Sequence, residues 1–443
     1  MLKVVTVAEK SFLLVAYGNT VTLSGVAEEQ SAPLQSFVAP NADGVEVVTA
    51  TLSRDMRHIY CAYDNKTACC FDVNSGELIG SCKTNKKPTQ LSTAVASKSE
   101  SLSAEVLLIS DKGGEVWATD VPLMKKQVRL FGHTASVVTD MLVTRSGNII
   151  TADRDEKIRI TEFPATYNIK GYMLRHTDVV TSLSIAGPET DNLVVSCGWD
   201  HRVCVWHVDT LELLDTLSTA DKKVSDENTQ ESISITPTAP ISVPDGAETG
   251  ADDEAGTAGD DDAPERFYDV TKAGAFPMRI RSCNVHHSFS TMSLSVVVLL
   301  HYGTNVLALL GVHPNTGCWW RGEHEPTCQA GPDSDTTEDV PRLGTIALPA
   351  APIDCAFSAD DSMLIVLLPA PHYMAVFQLT YHDNQSAVRA ERPQITAQDI
   401  ALDGSSENQY ASAAFTFVSS AAAQGGRVIC FCVVYAWCYT QMH

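Results

Sequence analysis

Short apolar runs of about five to eight residues, cut by turn formers, recur along most of this chain. Few stretches show the spacing of an amphipathic helix. Between residues 130 and 208 the pattern repeats itself at a fixed period. Thr151-Ala-Asp-Arg-Asp155-Glu-Lys157-Ile-Arg159-Ile follows Gly132-His133, and Ser196-Cys-Gly-Trp-Asp200-His-Arg202-Val-Cys-Val-Trp206 follows Arg175-His176. His133 and His176 lie 43 residues apart, Asp155 and Asp200 lie 45 apart, and that is the spacing of one four-stranded blade with a Gly-His start and a Trp-Asp-like end.

Weaker copies extend the register. Asp111 leads into Gly-Gly-Glu-Val-Trp117, and Asp64 leads on to Cys69-Cys70-Phe71-Asp72, which places four consecutive blades. Phe12 to Leu23 reads as two strands around Tyr17-Gly-Asn-Thr, Leu294 to Val312 as two strands around Tyr302-Gly-Thr-Asn, and Ile353 to Thr380 as a further unit turning at Asp360. The sum predicts an all-β, seven-bladed WD-repeat β-propeller, whose default role is binding.

Strand alternation gives the repeat a physical reading. In the better-preserved unit His176 enters the innermost strand, Ser196 lies on the second strand, Asp200 in the turn after it and Trp206 on the third. A buried imidazole needs an orienting acceptor and a buried indole N–H needs a partner, so these four are expected to form one polar network. His133, Thr151 and Asp155 are expected to do the same one blade earlier. A His-Asp pair also suggests general-base chemistry, but recurrence in successive blades favours scaffolding, and no catalytic role is assigned.

The 443-residue length would suggest several ordinary domains; the repeat makes it one propeller. Residues 1–218 are expected to hold its first blades and residues 266–443 the remaining blades and the closing segment. Residues 219–265 break the rhythm: thirteen Asp and Glu face two Lys. With few large apolar residues to offset ordering entropy, this segment is expected to be a disordered acidic insertion. It supplies eleven of the 23 net negative charges. A chain this acidic is a poor ligand for a phosphate backbone, so RNA should reach it mainly through a basic partner.

The N-terminal residues lack the pattern of a secretory signal, and thirteen cysteines without a regular framework fit a reducing compartment. Nucleus is the expected location, with cytoplasm as the second. The most apolar stretches, 294–312 and 428–439, are broken or too short to cross a membrane.

Other constellations are sparse. Cys318, His324 and Cys328 with His313 have zinc-compatible types but no second Cys-x-x-Cys knuckle, His286-His287 is a bare pair, and no phosphate-cradling glycine loop or nucleophile elbow occurs. No cofactor is expected. Lys83, Lys86 and Lys87, and Lys125, Lys126 and Arg129, read as solvated loop charge. One irregularity stands out: where the later blade has Asp200, Arg202, Cys204 and Trp206 on one side of its strand, the earlier has Asp155, Lys157, Arg159 and Thr161. An indole has been lost and a guanidinium gained.

The run Ile149-Ile-Thr-Ala-Asp-Arg-Asp-Glu-Lys-Ile-Arg-Ile160, with Gly132-His133 before it and Arg175-His176 and Ser196-Cys-Gly-Trp-Asp200 after it, resembles the WD-repeat non-catalytic subunit of the tRNA (guanine-N7)-methyltransferase. The resemblance implies a propeller that binds and stabilises a separate catalytic subunit, which uses S-adenosylmethionine to methylate a guanine in the tRNA variable loop. It also implies a contact surface on Lys157 and Arg159, with Arg154 and Glu156 beside them. The Ala-rich sequence after about Asn408 departs from the polar tail of that family. The reading from a different class is a propeller adaptor for another complex, such as a ubiquitin-ligase substrate receptor or a chromatin scaffold.

Overall fold

The structure is a computed structural model that describes residues 2–7, 10–25, 35–40, 44–95, 105–186, 192–219, 277–285, 294–320, 344–357, 363–368, 374–382 and 394–399. Blade 1 holds β1 (Leu2–Val7), β2 (Lys10–Tyr17), β3 (Thr20–Gly25) and β4 (Gln35–Val38); blade 2 holds β5 (Val47–Leu52), β6 (His58–Tyr63), β7 (Thr67–Asp72) and β8 (Leu78–Lys83). Blade 3 holds β9 (Pro88–Val95), β10 (Glu105–Asp111), β11 (Glu115–Asp120) and β12 (Gln127–Gly132); blade 4 holds β13 (Val138–Val143), β14 (Asn148–Asp153), β15 (Lys157–Glu162) and β16 (Ile169–Leu174). Blade 5 holds β17 (Val180–Ile185), β18 (Leu193–Gly198), β19 (Arg202–His207) and β20 (Leu213–Ser218). Blade 6 holds β21 (Pro277–Val285), β22 (Leu294–His301), β23 (Val306–Val312) and β24 (Gly344–Ala347), and blade 7 holds β25 (Asp354–Phe357), β26 (Met363–Leu367), β27 (Met374–His382) and β28 (Gln394–Asp399).

Every sheet is a four-stranded antiparallel meander of consecutive strands, and there are seven. From blade 2 onward the first strand of each blade packs against that of the next, and the ring closes where β25 meets β1. Among the described residues no strand is exchanged between the first and last sheets, and β25 packs against β1 where the ring closes. The expected seven-bladed propeller is what forms. The acidic insertion lies outside the described residues from 220 onward, as do His286, His287, His324, Cys328 and everything after 399. Among the described residues no helix is long and apolar enough to cross a membrane.

The strands are apolar on both faces because each inner sheet is covered on both sides by its neighbours. In blade 4, Ile149, Met141 and Val143 pack with Phe131 and Val116 of blade 3. Ile158, Ile160 and Ile150 pack on the opposite side with Leu183, Cys204 and Trp206 of blade 5. Truncating a fully buried isoleucine such as Ile158 to alanine costs about 2–5 kcal/mol. Buried carboxylates add polar seams. Asp140 Oδ2 accepts the Leu183 N–H at 2.9 Å and the Ser182 hydroxyl at 3.3 Å, and Asp215 Oδ2 accepts the Trp319 N–H at 2.9 Å.

The turn before the third strand recurs. Lys66, Gly114, Glu156 and His201 each sit one residue before that strand with φ of 63°, 82°, 72° and 59°. At Gly114 a side chain has no room, since a Cβ would fall 2.1 Å from the Ser136 carbonyl oxygen.

Candidate partner interface

Blade 5 forms the expected network. His176 Nδ1–H donates to the Asp200 carboxylate at 3.0 Å, His176 Nε2 lies 2.8 Å from Ser196 Oγ, and Trp206 Nε1–H donates to that same oxygen at 2.8 Å. Burial opposes charge on the imidazole, but the Cys204 sulfur and the Asp200 carboxylate outweigh it and raise the His176 pKa. Burial likewise works against the Asp200 carboxylate, yet the His176 hydrogen bond and backbone N–H donors leave its pKa lowered. The group is sealed inside the blade, which suits a strut.

Blade 4 differs from expectation in one member. His133 Nε2 does lie 2.8 Å from Thr151 Oγ1, but His133 Nδ1 pairs with Asp153 Oδ2 at 2.9 Å, not with Asp155. Asp153, the last residue of β14, also accepts the Lys157 N–H at 2.9 Å. The equivalent position in blade 5 is Gly198, where a Cβ would crowd His176 Nδ1 at 3.1 Å and Asp200 Oδ1 at 3.0 Å. A carboxylate can therefore reach the imidazole from the strand end or from the turn, but not from both. Asp155, at the half-exposed turn, receives Arg154 Nε at 3.4 Å, and its own N–H donates to Ser136 Oγ.

Arg159 is also displaced from its expected role. It is 6% exposed, its guanidinium stacked 4.4 Å above the Phe131 ring. Nε donates to Thr161 Oγ1 at 3.0 Å and Nη1 to the Gly132 carbonyl at 3.1 Å. Thr151 lies opposite Arg159 as Ser196 lies opposite Cys204, so Thr161 takes the place of Trp206. Arg159 fills the space that an indole would occupy and ties blade 4 to blade 3. Burial lowers its pKa, opposed by Tyr172 opposite it on β16.

Arg154, Glu156 and Lys157 are exposed as expected. What residue chemistry alone did not pick out is the strand beside them. The outer strand β16 and the loop before it expose Tyr167 (91%), Leu174 (65%), Ile169 (42%) and Tyr172 (42%). Leu174 lies directly opposite Lys157. The signal was available in Ile169-Lys-Gly-Tyr-Met-Leu174, apolar on both sides although outermost in its sheet. Four large apolar side chains around an open sheet edge, with the charged Lys157, Lys170, Glu156 and Arg154 nearby, have the make-up of a protein-docking surface.

Of the zinc-compatible types, Cys318 is buried in the segment after β23, and His324 and Cys328 lie outside the described residues. His313, half-buried, has its pKa lowered by burial. Among the described residues no cluster of metal-ligating types occurs.

These features define a WD-repeat propeller with an apolar, charge-rimmed edge on blade 4. Residues 83–248 match the family model described as tRNA methyltransferase TRM82 WD40 domain. The chain is 34% identical over 142 residues to the tRNA (guanine-N(7)-)-methyltransferase non-catalytic subunit wdr4 of Danio rerio, covering 32% of this chain and 33% of that protein. Against the subunit wuho of Culex quinquefasciatus it is 38% identical over 101 residues, 23% and 24% of the two chains. Against TRM82 of Debaryomyces hansenii it is 28% identical over 179 residues, 39% and 40% of the two chains. The matches thus span about a quarter to two fifths of these relatives' length, and blade 4 lies within the family match. A chain of the crystal structure of the Mitotic Checkpoint Complex superposes with a TM-score of 0.53 at 14% identity, covering 83% of each chain, which supports the propeller fold alone.

Proposed function

We propose that this chain is the non-catalytic scaffold subunit of a tRNA (guanine-N7)-methyltransferase, and that it binds and stabilises the catalytic subunit through the outer edge of blade 4. The observation that supports the reading is that the exposed β16 edge lies within the residues matched by that family's model. In this assembly the propeller supplies no chemistry. The catalytic subunit brings the S-adenosylmethionine pocket and the base-reading groups, and forms N7-methylguanosine in the tRNA variable loop. Apolar side chains at the centre, Leu174 and Tyr172, carry the burial, and Lys157 and Arg154 at the rim fix orientation by pairing with carboxylates of the partner. Arg159 contributes by holding β15 in place beneath them. The complex works in the nucleus, with cytoplasm as the second compartment.

The test is co-purification with the catalytic subunit and guanine-N7 methylation by the reconstituted pair. Leu174→Asp with Lys157→Glu should abolish both while leaving the melting temperature of the chain unchanged, because neither side chain is buried. Retention of the partner by that double variant at wild-type yield removes blade 4 as the interface.

A further inference from the structure

Around the propeller axis four successive blades are closed by the same backbone hydrogen bond. The N–H of the residue after the second strand donates to the carbonyl of the residue just before the first: Asp64 to Glu46 at 3.0 Å in blade 2, Lys112 to Lys87 at 2.8 Å in blade 3, Arg154 to Val137 at 3.0 Å in blade 4 and Trp199 to Val179 at 2.9 Å in blade 5. Each blade thus has two side-chain positions at the axial mouth, and the sequence fills them differently. Blade 2 has two carboxylates, blade 3 two ammonium groups, and blade 5 a valine and an indole. Blade 4 offers only Val137, because Arg154 is turned aside and its Nη2–H donates to the Ala135 carbonyl at 3.3 Å.

These positions line a cavity of about 410 Å³, to which blade 6 adds Arg279. Much of the remaining wall is apolar, with Val48, Pro88 and Val138 buried in it. Two lining hydroxyls are already engaged, Thr139 donating to the Val180 carbonyl and Thr181 to the Cys197 carbonyl. The polar character of the mouth therefore rests on its charges. Asp64 Oδ1 accepts the Glu46 N–H at 2.9 Å, which fixes that carboxylate in place. Among the described residues no ion pair joins Glu46 to Lys87, so the two signs stand on adjacent blades without cancelling. A concave, largely apolar wall with a few placed polar groups is the usual make-up of a ligand site, and the volume lies in the range such sites have.

We propose that the axial mouth binds a peptide segment of a partner protein in which a basic residue lies close to an acidic one. The basic side chain pairs with Glu46 and Asp64 on blade 2, and the acidic one with Lys87 and Lys112 on blade 3. An apolar side chain between them packs against Val137, Val179 and Trp199, and Arg279 donates to a carbonyl of the peptide. Charge contacts at half-exposed positions add little net affinity each, so they act chiefly as a filter on sign. A segment of one sign meets like charge on blade 2 or on blade 3, and that repulsion is what rejects it. The site is separate from the outer β16 edge, and the inference does not draw on the proposed function.

The probes are four fluorescently labelled peptide pools with randomised flanks around a fixed centre: Arg-Leu-Glu, Glu-Leu-Arg, Arg-Leu-Arg and Glu-Leu-Glu. Fluorescence anisotropy with the full chain gives their ranking. At least one mixed pool should bind about five- to tenfold more tightly than both single-sign pools, the size expected of two partly screened charge contacts. Glu46→Lys should move the preference to the Glu-Leu-Glu pool, and Lys87→Glu should move it to the Arg-Leu-Arg pool. Melting temperature should hold in both, because Glu46 and Lys87 secure the mouth through backbone groups. Where a reversal does lower it, Glu46→Gln with Lys87→Gln decides, and that variant should level the four pools. The proposal is overturned if the wild-type chain binds no pool, or if the ranking survives these substitutions. A wild-type preference for Glu-Leu-Glu also overturns it and assigns the mouth to an acidic ligand held by the cations alone; a preference for Arg-Leu-Arg overturns it in favour of a basic one.

Discussion

Replacing Arg159 with methionine isolates the blade 3–4 seam. Methionine preserves most of the aliphatic stem and removes the guanidinium, so the lost interactions are those of the head group: a hydrogen bond to Thr161 Oγ1, one to the Gly132 carbonyl, and the stack on Phe131. Hydrogen bonds from a charged donor contribute about 1.5–3 kcal/mol each, and a desolvated cation–π contact about 1–2 kcal/mol. These do not add, because one desolvated head group makes all of them and its removal also relieves a buried charge. The net cost is about 2–4 kcal/mol. Denaturant unfolding followed by tryptophan fluorescence should show the midpoint falling accordingly. Arg159→Glu should cost more, because it buries a carboxylate beside the Gly132 carbonyl, so it is no clean probe of partner binding. A second variant tests the geometry itself: Arg159→Cys with Thr161→Trp rebuilds the arrangement of blade 5, with the new indole N–H aimed at Thr151 Oγ1 as Trp206 is at Ser196 Oγ. It should recover more than half of the loss. An unchanged unfolding midpoint for Arg159→Met, with partner binding lost, would refute the reasoning and return the guanidinium to the surface.

Three further outcomes follow from the same geometry. Gly114→Ala should lower the unfolding free energy by about 2 kcal/mol or more, read from denaturant unfolding, since it combines a left-handed backbone with a Cβ that overlaps the Ser136 carbonyl; wild-type stability would count against the turn geometry. Trp206→Phe keeps most of the apolar burial and removes the donor to Ser196 Oγ, for a loss of about 1–2 kcal/mol read by thermal denaturation. His176 has a raised pKa, so its contribution is complete below the ordinary imidazole value and is lost as pH climbs toward about 10. Asp200 has a lowered pKa, so its contribution holds above the ordinary carboxylate value and is lost as pH falls through the lowered one. The stability gap between wild type and His176→Asn, measured across pH, should therefore be widest between the ordinary carboxylate and imidazole values, shrink from neutrality upward and close at the alkaline end; a gap independent of pH sinks the charge-pair account.

The repeat itself was readable because a blade cannot bury its faces alone. Each unit must carry apolar strands, a tight turn and a linking polar group at nearly the same spacing, and those demands are written locally. Blade count, the strand pairs around Tyr17-Gly18 and Tyr302-Gly303, and the His176-Ser196-Asp200-Trp206 network all follow from residues within one unit. The errors fall where the answer lies between units. Asp153 and Asp155 are two residues apart with the same chemistry, and only the path of the backbone past His133 decides which carboxylate reaches it. Arg159 looks like an exposed charge on strand alternation, because alternation tells one side of a strand from the other but not what covers each side. In a propeller both sides are covered, and the Phe131 ring and Gly132 carbonyl that hold Arg159 come from the preceding blade.

The surface shows the same division. Sequence alone determined that the molecule is acidic, built of repeated four-stranded units and marked by an unusual charged segment in the fourth. Tertiary structure decided that the open edge of β16 gathers Tyr167, Ile169, Tyr172 and Leu174, and that residues distant in the chain, Lys83 and Gln127, meet across a seam between blades. The physical reason is range. Hydrophobic periodicity and turn chemistry act over a few residues, whereas exposure and the contacts across a seam depend on which neighbouring blade arrives beside them.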